Sequence, residues 1–332
     1  MKYAPVITAL LLGGLSSAHA EPLPSWNDTA AKQAIETWVQ NATDTDRSTY
    51  IPPEKRYVVF DNDGTLWPEA PLTFQLQFAV DEVRRLAPQH PEWKNDPVLG
   101  AVLRNDFSAV AASGEKGLIQ LLTVTQSNMT TEEFTQRVSH WLDTHKDARF
   151  GCRYDQMGYQ PMRELLDYLR DNGFKTWIIS GGGIDFMRVV AEKMYGIAPE
   201  QVVGSFSLSE FSLTDNGTQL RKTMKGVFNN DAAAKPVSIH LFMGQRPVAA
   251  FGNSDGDLAM LQYTAANPDY KTFELLVHHT DAAREYAYDS KPPASGKLVE
   301  GLTLAEQQGW TVVNMKQDWK TVFDPMLCKA PH

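Results

Sequence analysis

The sequence has little cysteine, no excess of positive charge and no long apolar run beyond its first residues. Each shortage closes off a class. Only Cys152 and Cys328 occur in 332 residues, and nothing near either one suggests a nucleophile or a metal site. The formal net charge is −9. A chain this acidic is not built to bind nucleic acid or an anionic membrane surface. Any small anionic ligand would need a local positive site, from a metal ion or a few Lys and Arg. No segment after the amino terminus approaches the length of a membrane span. Internal repeats and low-complexity tracts are also missing, so a single large domain, or a core with an inserted smaller one, suits the length.

What is present begins at the amino terminus. Lys2 gives a short positive region, the apolar run from Val6 to Leu15 is too short to cross a membrane, and Ala18-His19-Ala20 is a small-x-small cleavage site before Glu21. This reads as a secretory signal peptide over residues 1–20, with a periplasmic or secreted mature protein. The alternative is an uncleaved anchor. In an exported chain the two cysteines read as one disulfide, Cys152–Cys328; the alternative is two unrelated buried thiols. A bridge closing so long a loop stabilises by about 4–5 kcal/mol in the chain-entropy account.

Hydrophobic periodicity then divides the chain. Asp28 is a candidate N-cap for a helix through residues 29–40. Pro52 and Pro53 break the chain, and Tyr57–Phe60 reads as a buried strand. Between about 70 and 150 the apolar positions recur every three or four residues, with Thr130 and Glu133 spaced as a capping box. No strand-like run interrupts them, so a helical insertion is expected there. Afterwards short apolar strands alternate with helices. Strands are expected at 176–180, 201–208, 248–251, 273–277 and 310–315, with helices from Pro161 to Gly173 and from Ile184 to Tyr195. This alternation predicts a parallel sheet covered on both faces, with a site beyond the carboxyl ends of its strands.

Polar clusters fall just after those strands. They are Asp61-Asn62-Asp63-Gly64-Thr65, Ser180-Gly181-Gly182-Gly183, Lys235, and Gly252-Asn253-Ser254-Asp255-Gly256-Asp257. A carboxylate at the end of a buried strand is costly to desolvate unless something pairs with it. In this order and placement the clusters resemble the haloacid dehalogenase-like hydrolase superfamily, in its phosphoserine-phosphatase-like branch, over roughly residues 55–280. The resemblance implies a doubly wound α/β core from residues 21–69 and 151–332, and a helical cap from 70–150. It also implies a Mg²⁺-dependent phosphomonoesterase acting on a small phosphorylated substrate through an aspartyl-phosphate.

Site roles follow from the same resemblance. Asp61 would be the nucleophile, and Asp63 the general acid and then base. Ser180, Gly181 and Gly182 would cradle the phosphoryl group at a helix start with open backbone N–H groups. Lys235 would neutralise its charge, with Lys222 and Lys225 as competitors. Mg²⁺, suited to oxygen ligands, would be held by Asp61, the backbone carbonyl of Asp63, Asn253 and Asp257, with Asp255 in reserve. Asn253 stands where the family usually has aspartate, which removes one charge. Trp67, Pro68 and Glu69 would form a short exposed flap, Glu69 either touching substrate or serving as a solvated turn acid. His278 and His279 read as a polar pair at a strand end, a zinc or acid–base role being the alternative. Two other functions share the motif set: a phosphotransferase using the same intermediate, and a non-catalytic binding protein on a degenerate fold.

Overall fold

The computed structural model describes residues 21–328 apart from 128, 216 and 294. The signal-peptide reading therefore lies outside the described residues. Among those described, no helix is long and apolar enough to cross a membrane.

Eight strands form. β1 is Tyr57–Phe60, β2 Lys175–Gly183, β3 Val202–Ser205, β4 Ser209–Thr214, β5 Gly217–Lys222, β6 Ala249–Gly252, β7 Phe273–His278 and β8 Thr311–Asn314. Six of them make one sheet in the order β3-β2-β1-β6-β7-β8, and every pairing in it is parallel. β1 lies between β2 and β6, so the residues that follow these three strands meet at the middle of one sheet edge. The apolar runs are explained by burial on both faces: Val58, Val59, Phe60, Ile178, Ile179, Ala250 and Phe251 have no accessible surface. Helices cover both sides, among them α1 (Ala30–Thr43).

Between β1 and β2 the chain is helical, with α2 (Phe74–Leu86), α3 (Pro97–Leu103), α4 (Phe107–Ala112), α5 (Gly114–Gln126) and α6 (Thr131–Thr144). The capping box forms: Thr130 Oγ1 accepts from Glu133 N, and Glu133 Oε2 accepts from Thr130 N. The outer part of this segment has its own apolar cluster around Val80, Val83, Trp93, Leu99 and Val102. Its inner part, with Phe78, Phe134 and Trp141, joins the main core. α7 (Gln160–Asp171) and α8 (Ile184–Tyr195) flank β2.

Three local expectations shift. α1 starts at Ala30 with Thr29 at its N-cap; Asp28 instead accepts from the Gln33 side chain at 2.9 Å. The strand expected to run to 208 leaves the sheet after Ser205. Phe206 then bridges antiparallel to Phe228, and β4 and β5 form a separate antiparallel hairpin. That hairpin packs on the helical segment, where Lys222 N donates to Met129 O at 2.9 Å. Trp67 is not exposed but 1% accessible, because Phe74, Phe186 and Tyr195 surround its ring.

Cys152 and Cys328 are joined in a disulfide, with Cα atoms 5.1 Å apart and a sequence separation of 176. It ties the start of the second part of the core to the carboxyl-terminal segment.

Candidate active site

Each strand of the central trio delivers its polar residues where the sheet hydrogen bonds end. Asp61 N still donates to Phe251 O at 2.9 Å, so Asp61 is fixed to β6 as well as β1. Lys235 comes from a short helix, α9 (Ala234–Ser238), and is 2% exposed. Its ammonium donates to Asp61 Oδ1 at 2.8 Å and to Asp257 Oδ1 at 2.5 Å. The other Asp257 oxygen accepts from the backbone N–H groups of Asn253 and Ser254, at 2.9 and 3.0 Å. Asp257 is thus held by both Lys235 and the loop after β6.

The two competing lysines stand elsewhere. Lys222 pairs with Asp185 and lies 4.6 Å over the Phe134 ring, and the exposed Lys225 pairs with Glu210 at 2.6 Å.

Asp63 turns away from Lys235. Its Oδ1 accepts from Trp67 Nε1 at 2.7 Å. Its Oδ2 lies 3.1 Å from where a Cβ on Gly182 would stand. A side chain at 182 would crowd that carboxylate, so the glycine permits close approach between the β1 and β2 loops. Burial pushes the Asp63 carboxyl up to about 6, against the Trp67 hydrogen bond and the Lys235 charge. The Asp61 carboxyl is pushed well above the usual range by burial; Lys235 opposes this and Asp257 reinforces it. Burial disfavours the Lys235 ammonium, but Asp257 and Asp61 outweigh it and raise the group overall.

The glycine cradle differs from a bare helix start. β2 extends through Gly183 before α8 begins at Ile184. Gly182 N donates to Ser180 Oγ at 3.2 Å, and Gly183 N donates to Gln75 Oε1 at 2.7 Å. Ser180 is held in turn by Asn230 Nδ2, which donates to its carbonyl at 3.0 Å. An anion here would exchange for these contacts, and Gln75 reaches in from α2 on the helical segment.

Glu69 is not a solvated turn acid. It is 4% exposed and accepts three hydrogen bonds: from Asn253 Nδ2 at 2.6 Å, Tyr288 OH at 2.9 Å and Ser295 Oγ at 2.7 Å. Burial pushes it up to about 7, opposed by His279 and the two hydroxyls. His279 is buried, with Nδ1 3.1 Å from Glu285 Oε2 and Nε2 2.8 Å from Gly64 O. Burial disfavours its charge, but Glu285 outweighs this and raises it. It braces the turn that carries Asp63. His278 is partly exposed, 3.8 Å from Asp289. Asp255 caps the next segment, accepting from Val299 N at 3.0 Å and Gly301 N at 2.9 Å.

A set of clustered acids with one ammonium is short of positive charge. Asp61, Asp63, Asp257 and Glu69 face only Lys235 and the Glu285-paired His279. No group of three His, Cys, Asp or Glu side chains stands in ligating arrangement among the described residues. The donors that suit a hard cation are instead mixed. They are the Asp61 carboxylate, whose Oδ2 takes no hydrogen bond among the described residues, the equally unengaged main-chain carbonyl of Asp63, and the Asn253 amide oxygen. The Asn253 oxygen accepts from Thr65 Oγ1 at 2.9 Å, which leaves it a second lone pair. An all-oxygen set of this kind fits Mg²⁺. Asp257 already accepts from Lys235 and the loop, and Asp255 caps Val299 and Gly301 through its Oδ1 alone.

The family model of haloacid dehalogenase-like hydrolases matches residues 58–262, spanning β1 through the loop after β6. The chain belongs to that family. No curated relative matches it. Among solved structures, a conserved protein of unknown function from Anaerococcus prevotii DSM 20548 is similar over 89% of this hydrolase and 94% of its own chain, at 16% identity and a TM-score of 0.57. That likeness is one of fold. A protein of unknown function from Bordetella pertussis Tohama I covers 79% of this chain and 99% of its own, at 12% identity and a TM-score of 0.48. A phosphoserine phosphohydrolase-like protein from Francisella tularensis subsp. tularensis SCHU S4 covers 76% and 99%, at 14% identity and a TM-score of 0.40.

Sequence reasoning missed three residues that shape the hydrolase's site, Gln75, Tyr288 and Ser295, and placed Trp67 in the flap without its hydrogen bond to Asp63. The only local signal was Trp67, a large ring directly after the Asp61–Thr65 turn.

Proposed function

We propose that this hydrolase is a Mg²⁺-dependent phosphomonoesterase that cleaves a small phosphorylated substrate through a phosphoryl group carried on Asp61. The observation that carries the reading is the pairing of Asp61 with Lys235 at 2.8 Å beside a second acid, Asp63, that bonds elsewhere. One carboxylate is paired with an ammonium that opposes the neutralising effect of burial. The other is held by a neutral indole, with its pKa raised to about 6 by burial. Two carboxyl groups in such different environments suit two different jobs.

In the first step an Asp61 oxygen attacks phosphorus. The bond from phosphorus to the ester oxygen breaks, and Asp63 gives its proton to the departing alkoxide. In the second, water attacks phosphorus, Asp63 takes a proton from it, and the Asp61–phosphorus bond breaks to release phosphate. Lys235 offsets charge on the transferring group, and Ser180 with the N–H groups of Gly181 and Gly182 would take its oxygens in place of their present partners. A bound Mg²⁺, held by Asp61, the Asp63 carbonyl and Asn253, would supply further positive charge at the same place. The helical segment over 70–150 is the cap in this reading, reaching the cradle through Gln75, and its closure excludes large substrates.

Export to an oxidising compartment is part of the reading, and the disulfide supports it. The test is turnover of the purified protein on a panel of phosphomonoesters with and without Mg²⁺. Release of inorganic phosphate from a small ester, abolished in Asp61→Asn, is expected. Failure to hydrolyse any ester in the presence of Mg²⁺, Mn²⁺ or Co²⁺ would overturn it. Adding an alcohol separates hydrolysis from transfer by the product ratio.

A further inference from the structure

We propose that Glu69 is a positioning residue. It grips the donor end of the Asn253 side chain, so that the amide oxygen faces the Asp61–Thr65 turn and is available to a cation there. The part concerning the cation rests on the Mg²⁺ reading above; the grip itself does not.

An amide side chain has a donor end and an acceptor end of nearly the same shape. In a buried site its partners decide which way it points. An ionised carboxylate can only accept. Glu69 Oε1 lies 2.6 Å from Asn253 Nδ2, so it selects the NH₂ end. Tyr288 OH donates to the same Oε1 at 2.9 Å and Ser295 Oγ to Oε2 at 2.7 Å, and together they fix the Glu69 carboxylate. The opposite end of the amide, Oδ1, is then left for Thr65 Oγ1 at 2.9 Å.

The pair is packed directly on the turn: a Cβ on Gly64 would stand 2.1 Å from Asn253 Nδ2 and 2.4 Å from Glu69 Oε1. Gly64 has a φ of +77°. A side chain at 64 would displace the pair. The same geometry accounts for an asparagine at 253. An aspartate there would set two buried carboxylates against each other at hydrogen-bond distance, with no donor between them.

A double-mutant cycle on the full chain tests this: Glu69→Gln, Asn253→Asp and the two together. Thermal unfolding is followed without metal, and Mg²⁺ affinity is measured by calorimetry, both above neutral pH. Asn253→Asp alone is expected to lower the unfolding midpoint. Glu69→Gln is isosteric and is expected to fold, but to weaken Mg²⁺ binding by roughly 10–100-fold, the usual range for a partner that orients a ligand. The double variant swaps acid and amide, so the pair can bond again. It is expected to recover most of both losses.

Additive effects in the unfolding cycle, or a stabilised Asn253→Asp single variant, would overturn the grip. Unchanged Mg²⁺ affinity in Glu69→Gln would overturn the orienting role. If the wild-type protein binds no Mg²⁺ while the unfolding cycle is strongly non-additive, the metal reading falls and the Glu69–Asn253 coupling stands.

Discussion

At Asp61 a buried carboxylate meets an ammonium, whereas at Glu69, on the same loop, a buried carboxylate meets an amide and two hydroxyls. Both sit where burial alone would neutralise them, and in both burial is the largest cause of a raised pKa. The remedies differ because the tasks differ. An acid paired with a cation presents an oxygen that an electrophile can meet once substrate arrives, since the lysine can serve both. An acid ringed by neutral donors is held in one orientation by its three hydrogen bonds. The Asp61 cluster is arranged for reaction, and the Glu69 cluster for geometry.

Breaking the ionic side should cost most. Lys235→Met strands Asp61 and Asp257 without their cation. Removing one partner of a buried ion pair destabilises by about 3–5 kcal/mol. Denaturant unfolding of the metal-free protein should show a loss of that size; a midpoint equal to wild type would mean that Lys235 does not hold the cluster.

Asp63→Asn tests the acid that bonds to neither cluster. Loss of general acid–base help is expected to slow turnover about 10²–10⁴-fold, most for substrates with poor leaving groups. An equal loss across good and poor leaving groups would deny Asp63 that role.

The neutral side has a pH signature. The Glu69 pKa is raised in the folded protein, from an ordinary 4.5 to about 7. Folded protein therefore binds the proton more tightly than unfolded. The stabilisation this contributes is complete below about 4.5, and is lost as pH rises toward about 7. The loss is on the order of 3 kcal/mol. Stability of the metal-free protein should fall across this window, and Glu69→Gln should flatten the fall. An identical slope in both proteins would remove Glu69 as its cause.

Tyr288→Phe should have the smallest effect. It deletes one of three donors to Glu69, worth about 1–2 kcal/mol, and should leave the unfolding cost of Lys235→Met nearly unchanged, because the two clusters meet at Asn253 through separate backbone and side-chain hydrogen bonds. Strong coupling between Tyr288→Phe and Lys235→Met would merge the clusters into one.

How far the sequence could be read follows from which forces are local. Tyr57–Phe60 and Ala249–Gly252 are apolar runs ending at polar loops, so both the strands and the sheet edge that carries Asp61 and Asn253 were legible. Lys235 was legible as a candidate beside Lys222 and Lys225, but only the fold separates the three, by giving the other two partners at Asp185 and Glu210. The hairpin of β4 and β5 was not legible, since its exposed strands bury no face that would impose a pattern. The environment of Glu69 was least legible. Its hydroxyl donors lie 219 and 226 residues away, and no periodicity records a contact of that length. Trp67 was misread for a related reason: its burial comes from α2 and α8 packing over it, not from its neighbours in the chain.

The central claim is that Asp61 carries the phosphoryl group. Its most direct test is acid quench of Asp63→Asn during turnover of a phosphomonoester with Mg²⁺ present, followed by peptide mapping. With water activation lost, the account predicts a phosphoryl group on the peptide containing Asp61, and its disappearance when Asp61 is also changed to Asn. Wild-type turnover by Asp61→Asn, or a phosphoryl group trapped on any other residue, would contradict it.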